Sequence, residues 1–351
     1  MTGLFKKKTI IRIFAVLLVC AGFAGAFLAI FRMLNNNTDA GEVSVTTYTP
    51  KQSEAPTFNN ESESGSNNAN KTYAMREDMD LILIMGVDDR ENAGQTSTAI
   101  NSSQADVLYV LALDHKNKTY KTLQINRDTM ANVQSYTIEG KKYKVAKMQI
   151  CLAHTYGKTD QARCLNTVDA VSGLIFDIPI NHYVALNLSS IAVLNDQVGG
   201  VTLTMPAGLE AANPDFKEGT NITLTGKQAE EFVRARMNLK DDHNNLRMER
   251  QELFLKAWKE QAKAKMNEDT GFALSLSLAL SKYMTSDMSA NSLSDLANKL
   301  KGYKDLGNVT ASGQYLEANE KEERFFREFH VDVDDLKSKV IELCYEEKAT
   351  E

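Results

Sequence analysis

Two nearly uninterrupted apolar runs limit what this chain can fold into: "DLILIMGVD" at 80–88 and "ADVLYVLALD" at 105–114. A strand with one wet face alternates apolar and polar residues, so runs apolar at almost every position suit strands covered on both faces. Such strands occupy the middle of a sheet with layers packed on either side. A third run, "KTYKTLQINRD" at 118–128, follows the polar break "HKNK", short enough to close a β-hairpin. An antiparallel meander of the three brings the end of the first, the start of the second and the end of the third to one edge. That edge then carries Asp88, Asp106, Arg127 and Asp128. The long polar loop "DRENAGQTSTAINSSQ" between the first two runs is placed to cover it.

Helical spacing takes over in "QICLAHTYGK" and "DQARCLNTVDAVSGLIFD". "INHYVALNL" (180–188) and "VTLTMP" read as strands, with "SSIAVLNDQVGG" between them as a helix capped by Ser at its start and Gly at its end. Thr225 is the expected N-cap of "TGKQAEEFVRARM" (225–237), and "NNLRMERQELFLKAWKEQAKAK" is a long amphipathic helix. "GFALSLSLALSKYM" and "SLSDLANKLKGY" read as two further helices, a short strand lies near "VTASGQYLE", and "DVDDLKSKVIELCYEE" closes as a helix. Strands alternating with helices predict an α/β fold, a layered α/β/α single domain with a mixed central sheet, over 78–348.

Ahead of that domain the sequence predicts a membrane anchor. Lys6, Lys7, Lys8 and Arg12 precede a charge-free run from Ile13 to Phe31. With Ile10 and Ile11 added, this run is long enough as a helix to cross about 30 Å of hydrocarbon. The basic flank places residues 1–9 in the cytoplasm, the span at 10–31 and the main domain outside the cell membrane. Ala24-Gly25-Ala26 resembles a signal-peptide cleavage site, but apolar sequence continues to Phe31, which favours an uncleaved single-pass anchor. Residues 32–77, rich in Asn, Ser, Thr and Glu, have little to bury and read as a disordered extracellular linker.

The formal net charge of −6 excludes a global basic footprint for nucleic acid, so any anion site is a local cluster. The four cysteines fit no zinc pattern and are too sparse for a disulfide framework; Cys151 and Cys164 are either a pair or two buried thiols. Histidines at 115, 154, 182, 243 and 330 have no metal-ligand spacing, and no GxSxG, Walker or GxGxxG motif occurs.

Arginine is the informative residue. "FVRARMNLKDDHNNLRMERQ" places Arg234, Arg236, Arg247 and Arg250 close together. Arg247, Arg250 and Gln251 stand at i, i+3 and i+4, on one face near a helix N-terminus, where an anion is favoured. Arg234 and Arg236 point about 200° apart on an intact helix, so they face one ligand only if the helix ends between them. Two readings stand at this point: a solvated charged face, or half of an anion clamp. Asp88 and Asp106 likewise read either as turn residues or as carboxylates for Mg²⁺, which takes one or two carboxylates plus waters and phosphate oxygens. Arg127 and Asp128 on the same edge favour the metal-plus-phosphate reading.

The ordered series "LILIMGVDDR", "ADVLYVLALD", "TLQINRDT", "KMQICLAHTYG", "IPINHYVALNL", "VLNDQVGGVTL", "LTGKQAEEFVRAR" and "LRMERQELF" resembles the LytR–CpsA–Psr cell-envelope proteins of Gram-positive bacteria. The resemblance covers about 80–265. It implies a Mg²⁺-assisted phosphotransferase that moves an anionic glycopolymer, such as teichoic acid or capsule, from an undecaprenyl-pyrophosphate carrier to peptidoglycan through a phosphodiester. By resemblance Asp88 and Asp106 match the metal-associated aspartates. Arg127, Arg234, Arg236, Arg247 and Gln251 match the pyrophosphate contacts, with Arg90 and Arg250 in the same blocks. The chain departs from the pattern at Gln104, where an Arg is usual, at Gln149, where an Asn is usual, and at Asn244, where an acid is usual. Asp242 or Asp128 then becomes the candidate acceptor of the proton from the attacking hydroxyl, with Arg127, Arg234 and Arg236 beside it. A non-catalytic module binding polyprenyl phosphate or wall polymer, and a lipid-pyrophosphate hydrolase, are the alternatives to a ligase.

Overall fold

The two apolar runs form adjacent antiparallel strands at the centre of the molecule. The computed structural model describes residues 55–60, 71–89, 100, 102–235, 244–269, 272–288, 292, 296, 300, 302–319 and 326–348. The chain starts with β1 (Phe58–Asn60), β2 (Lys71–Met75), β3 (Met79–Val87), β4 (Ala105–Asp114), β5 (Thr119–Ile125), β6 (Met130–Tyr136) and β7 (Lys142–Gln149). A 3-10 turn over Ile150–Thr155 leads to α1 (Asp160–Leu174), β8 (His182–Asn187), α2 (Ser189–Gln197), β9 (Thr202–Thr204) and β10 (Asn221–Thr223). Then come α3 (Gly226–Arg234), α4 (Asn244–Glu268), α5 (Phe272–Leu280), β11 (Met284–Ser286), β12 (Lys304–Thr310), β13 (Gly313–Leu316), β14 (Glu328–Val331), α6 (Val333–Cys344) and β15 (Tyr345–Glu347).

The main sheet has six strands in the order β11-β8-β3-β4-β5-β12. The β3–β4–β5 meander is antiparallel, β8 and β12 add to it in parallel, and β11 pairs antiparallel with β8. The sheet is therefore mixed, and β3 and β4 lie inside it with strands on both sides. Leu81, Leu83 and Met85 of β3 face a core completed by α1 and α6, while Ile82 faces a second core completed by α2 to α5. This is the reason the run is apolar at consecutive positions: each face of the strand meets its own layer. Trp258 fixes α4 over the second face, buried with its indole N–H donating to the Leu194 carbonyl of α2 at 2.6 Å.

Three expectations change. The ordered fold starts before residue 78: β1 and β2 lie inside the segment read as linker, and β2 pairs with both β1 and the C-terminal β15. The polar composition there hides a few apolar anchors. Phe58 packs its ring against Phe176 and Tyr345, at centroid distances of 5.3 and 4.9 Å, and Tyr73 and Met75 pack on the same core. The β6–β7 hairpin carries no apolar signal in β7, whose lysines keep it exposed, and the sequence reading passes over it. Helix α2 has Leu188, not a serine, at its N-cap, with no side-chain hydrogen bond, while Gly199 at φ +83° does reverse the chain after its end. Residues 1–54, with the expected tail and anchor, lie outside the described residues, as does most of the helix expected around 292–303. Among the described residues no helix is long and apolar enough to cross a membrane.

Candidate active site

The predicted edge assembles at the ends of β3, β4 and β5. The β3–β4 register shifts between Gly86 and Val87. A methyl group at Gly86 would sit 2.9 Å from Val107 Cβ, so glycine permits the close approach of the two strands. Beyond this bulge the Asp88 N–H donates to the Gln104 carbonyl at 2.8 Å, which sets Asp88 beside the start of β4.

Asp106 is the centre of the site. Its Oδ1 accepts from Arg127 Nη1, its Oδ2 lies 3.2 Å from Arg247 Nη1, and its backbone carbonyl accepts from Arg247 Nη2 at 3.4 Å. Arg127 follows β5, whereas Arg247 comes from the first turn of α4, so one carboxylate ties the two halves of the site together. Arg127, Arg247 and Gln251 are 9%, 8% and 5% exposed. That burial excludes the solvated-face reading of the α4 arginines. Two guanidinium groups meet on one carboxylate in a partly dry place, with Asp128 a second carboxylate beside Arg127; an anion that displaces Asp106 would meet both cations.

Arg127 is held from several sides. Its Nη2 donates to Gln104 Oε1 and to Cys151 Sγ at 3.2 Å, and its Nε lies 3.5 Å from Asp128 Oδ1. Burial opposes its charge, but Cys151, Asp106 and Asp128 more than offset this and raise its pKa, so it stays cationic. Burial raises the Asp128 carboxyl above its usual range, against the pull of Arg127 and Arg247. Gln149 Nε2 donates to Asp128 Oδ1 at 3.2 Å and to the Arg327 carbonyl at 2.8 Å. Gln104 and Gln149, two of the three departures from the family pattern, therefore both hold site residues through their amides.

Helix α3 supplies the next arginine. Thr225 and Gln228 form a reciprocal capping box at its start, and it ends at Arg234 because Ala235 leaves helical geometry at φ −44°, ψ 119°. The chain thus departs from the helix between Arg234 and Arg236, as their spacing required. Arg234 is exposed and bridges Glu230 at 3.1 Å and Asp88 at 3.5 Å. Arg250 donates to the Ala235 carbonyl from a buried position, so it holds the end of α3. Arg90, Arg236, Asp241 and Asp242 lie outside the described residues, and Asn244 is the first residue of α4.

Behind the charged edge a cavity of about 1490 Å³ runs between the sheet and helices α2 to α4. Ile84, Tyr109, Leu194 and Phe254 are among its walls, with Asp88, Asp106, Arg234, Arg247 and Gln251 also lining it. Arg250 and Arg127 are not in its lining; Arg127 backs Asp106.

Cys151 and Cys164 are free buried thiols, not a pair. Burial pushes the Cys151 thiol up to about 11 despite Arg127, so it meets the guanidinium as a neutral acceptor. Cys164 Sγ lies 3.8 Å from His154 Nε2, and His154 Nδ1 is 3.4 Å from the Ser103 carbonyl. Burial lowers the His154 pKa to about 4, so the ring is neutral at pH 7. Of the sequence candidates, the structure brings Asp88, Asp106, Arg127, Asp128, Arg234, Arg247 and Gln251 together. The sequence reading passed over Cys151 and Glu230, and it took Gln104 as a departure from the pattern rather than as a partner of Arg127, because neutral partners and helix-face carboxylates carry no pattern of their own.

Among the described residues no three of His, Cys, Asp and Glu converge, which excludes an all-protein metal cage there. Asp88 and Asp106 stand at neighbouring strand ends, and Mg²⁺ takes one or two such oxygens, but both Asp106 oxygens are engaged by arginines, so Mg²⁺ would have to displace one of them.

Fold and site together define a mixed-sheet α/β domain that sets an arginine-rich, carboxylate-centred edge over a large cavity with apolar walls. The chain belongs to the LytR_cpsA_psr family, whose profile matches residues 41–338. It is 32% identical over 155 residues to TagU of Bacillus cereus, named a polyisoprenyl-teichoic acid–peptidoglycan teichoic acid transferase; the match covers 44% of each chain, less than half of that relative. It is 26% identical over 265 residues to TagT of Bacillus subtilis, which carries the same transferase description, covering 73% of this chain and 70% of that one. The fold matches the crystal structure of B. subtilis TagV with a TM-score of 0.55 at 21% identity, over 76% of this chain and 98% of that one.

Proposed function

We propose that this chain is a membrane-anchored phosphotransferase whose domain lies outside the cytoplasm. It moves an anionic glycopolymer from an undecaprenyl-pyrophosphate carrier to peptidoglycan through a phosphodiester. The observation that carries the reading is Asp106, shared by the buried Arg127 and Arg247 beside a cavity of about 1490 Å³. An amphiphile with a doubly charged head and a long hydrocarbon tail needs that combination: cations in a partly dry place, continuous with an apolar cavity. Family membership and the names of the relatives support the same substrate class.

Phosphoryl transfer asks a protein for positioning and charge neutralisation more than for covalent help. Arg247 and Arg234 bind the pyrophosphate oxygens, and Arg127 holds Asp106 in place behind them. Arg236 and Arg90, both outside the described residues, would add to the clamp, and Gln251 donates an amide. Arg250 acts at one remove by fixing the end of α3, and with it Arg234. Asp88 and Asp106 would hold Mg²⁺, which supplies charge neutralisation at the transferring phosphoryl group when bound. Asp128 or Asp242 accepts the proton of the attacking sugar hydroxyl. Asp128 suits that role because burial raises its proton affinity while Gln149 fixes its orientation.

The test is the full chain with a lipid-pyrophosphate oligosaccharide, Mg²⁺ and peptidoglycan fragments. A covalent polymer–peptidoglycan product, lost in Arg236→Ala and Asp106→Ala, is the expected result. Free phosphorylated sugar identifies a hydrolase and unchanged lipid a binding module, and either outcome overturns the ligase reading.

A further inference from the structure

The β6–β7 hairpin is built unlike the rest of the molecule. Its base is the site: β6 begins two residues after Asp128, and β7 ends at Gln149, which donates to Asp128. Its far end projects away from the site and is strongly basic in a chain of net charge −6, with Lys141, Lys142, Lys144 and Lys147 against Glu139. All four lysines are exposed, and among the described residues none is paired with a carboxylate.

The two faces of the hairpin differ. Ala131, Val133 and Ser135 of β6 are buried, and β6 packs on α1. On the opposite face strand alternation lines up Gln149, Lys147 and Val145, and the register places Asn132 beside Lys147 and Gln134 beside Val145; it then shifts between Gln134 and Tyr136, so that Lys142 comes beside Tyr136, with Tyr143 in the irregular stretch before it. Tyr143 is 69% and Val145 61% exposed, with Lys144 Nζ 5.7 Å from the Tyr143 ring centroid. Lysines that merely protect a sheet edge from pairing do not need bared aromatic and aliphatic side chains beside them. Amides and lysines along this face, with the exposed Tyr143 ring at its outer end, extend about 20 Å along β7 and match a chain that alternates sugar and phosphate.

We propose that this outer face is a binding strip for an anionic sugar-phosphate polymer, leading from the Asp128 side of the site along β7. The lysines meet phosphates, the amides of Asn132 and Gln134 meet hydroxyls, and Tyr143 stacks on a sugar face. The inference rests on the transferase reading for the identity of its ligand, but not on the chemistry of transfer: the strip holds the polymer whether or not a pyrophosphate is attached.

The test measures binding of a lipid-free poly(glycerol phosphate) to the full chain by fluorescence anisotropy at two salt concentrations. Replacing Lys142, Lys144 and Lys147 together by Gln is expected to weaken binding at least tenfold and flatten its salt dependence. Tyr143→Ala is expected to weaken it severalfold with the salt dependence kept. Lys116→Gln, an exposed lysine in the β4–β5 turn at the other end of the sheet, is expected to bind the polymer as the parent does. Unchanged affinity in the triple variant overturns the strip. So does a loss seen only with anionic phospholipid vesicles, which would make the hairpin a membrane contact. Polymer binding that depends on the hairpin, in a parent chain that transfers nothing, refutes the ligase reading and leaves the strip standing.

Discussion

Asp106→Asn removes one charge and leaves two buried cations without their common partner. In the parent, Arg127 and Arg247 are each at most 9% exposed and both engage this carboxylate. Breaking a buried ion pair by deleting one member costs roughly 3–5 kcal/mol, because the remaining charge stays desolvated. The Asp106 side chain is 21% exposed, so water screens part of the loss, and an asparagine oxygen still accepts one hydrogen bond. The expected destabilisation is therefore about 2–3 kcal/mol. At about 2–4 °C per kcal/mol for a domain of this size, the melting temperature falls by roughly 4–12 °C. The sign of the ligand effect is the sharper part. Without divalent metal, inorganic pyrophosphate competes with Asp106 for the arginines in the parent, but in the variant meets both guanidinium groups relieved of that competitor, with Asp128 still beside Arg127. Saturation at about a hundred times Kd adds about 2.7 kcal/mol, enough to restore most of the loss. Thermal unfolding at low ionic strength, with and without pyrophosphate, reads both effects. A variant as stable as the parent, or one that gains no more from pyrophosphate than the parent does, refutes the account of the site as an anion clamp closed by Asp106.

Three more perturbations separate the parts of the site. His154 titrates at about 4 when folded against about 6.5 unfolded, so the unfolded state binds the extra proton first. Stability is then full above about pH 6.5 and falls by about 3 kcal/mol as the pH drops to 4; acid-unfolding curves of His154→Gln should lack that slope. Asp128→Asn should lower the rate of transfer by about 10²–10⁴-fold while leaving pyrophosphate binding close to the parent's. The parent's rate should rise with pH through the raised Asp128 pKa, and an unchanged pH–rate profile in the variant assigns the base elsewhere. Arg250→Ala should destabilise the chain by about 1–3 kcal/mol through the lost bond to the Ala235 carbonyl and weaken pyrophosphate binding only indirectly; a loss of binding with no change in melting temperature would make Arg250 a direct contact.

The sequence alone determined the centre of the fold. Residues 80–88 and 105–114 are apolar at almost every position because each of those strands is covered on both faces, and the short polar break before β5 left little choice but a hairpin. From that meander alone, Asp88, Asp106, Arg127 and Asp128 share an edge, since strand direction fixes which ends are neighbours. The i, i+2 spacing of Arg234 and Arg236 also held a structural demand, met where Ala235 leaves the helix. What only the tertiary structure decided is how the charges are partnered. Nothing local says that Arg247, from a helix more than a hundred residues away in sequence, shares a carboxylate with Arg127, or that Arg250, one turn further on, turns to a backbone carbonyl instead. Gln104 and Cys151 gain their meaning only beside Arg127, and β1, β2 and β7 are strands because of what they pair with, in segments whose own composition is polar. Hydrophobic period is a local property and survives in the sequence; ion pairing and edge-strand pairing depend on which distant groups arrive at the same place, and that is settled only when the layers pack.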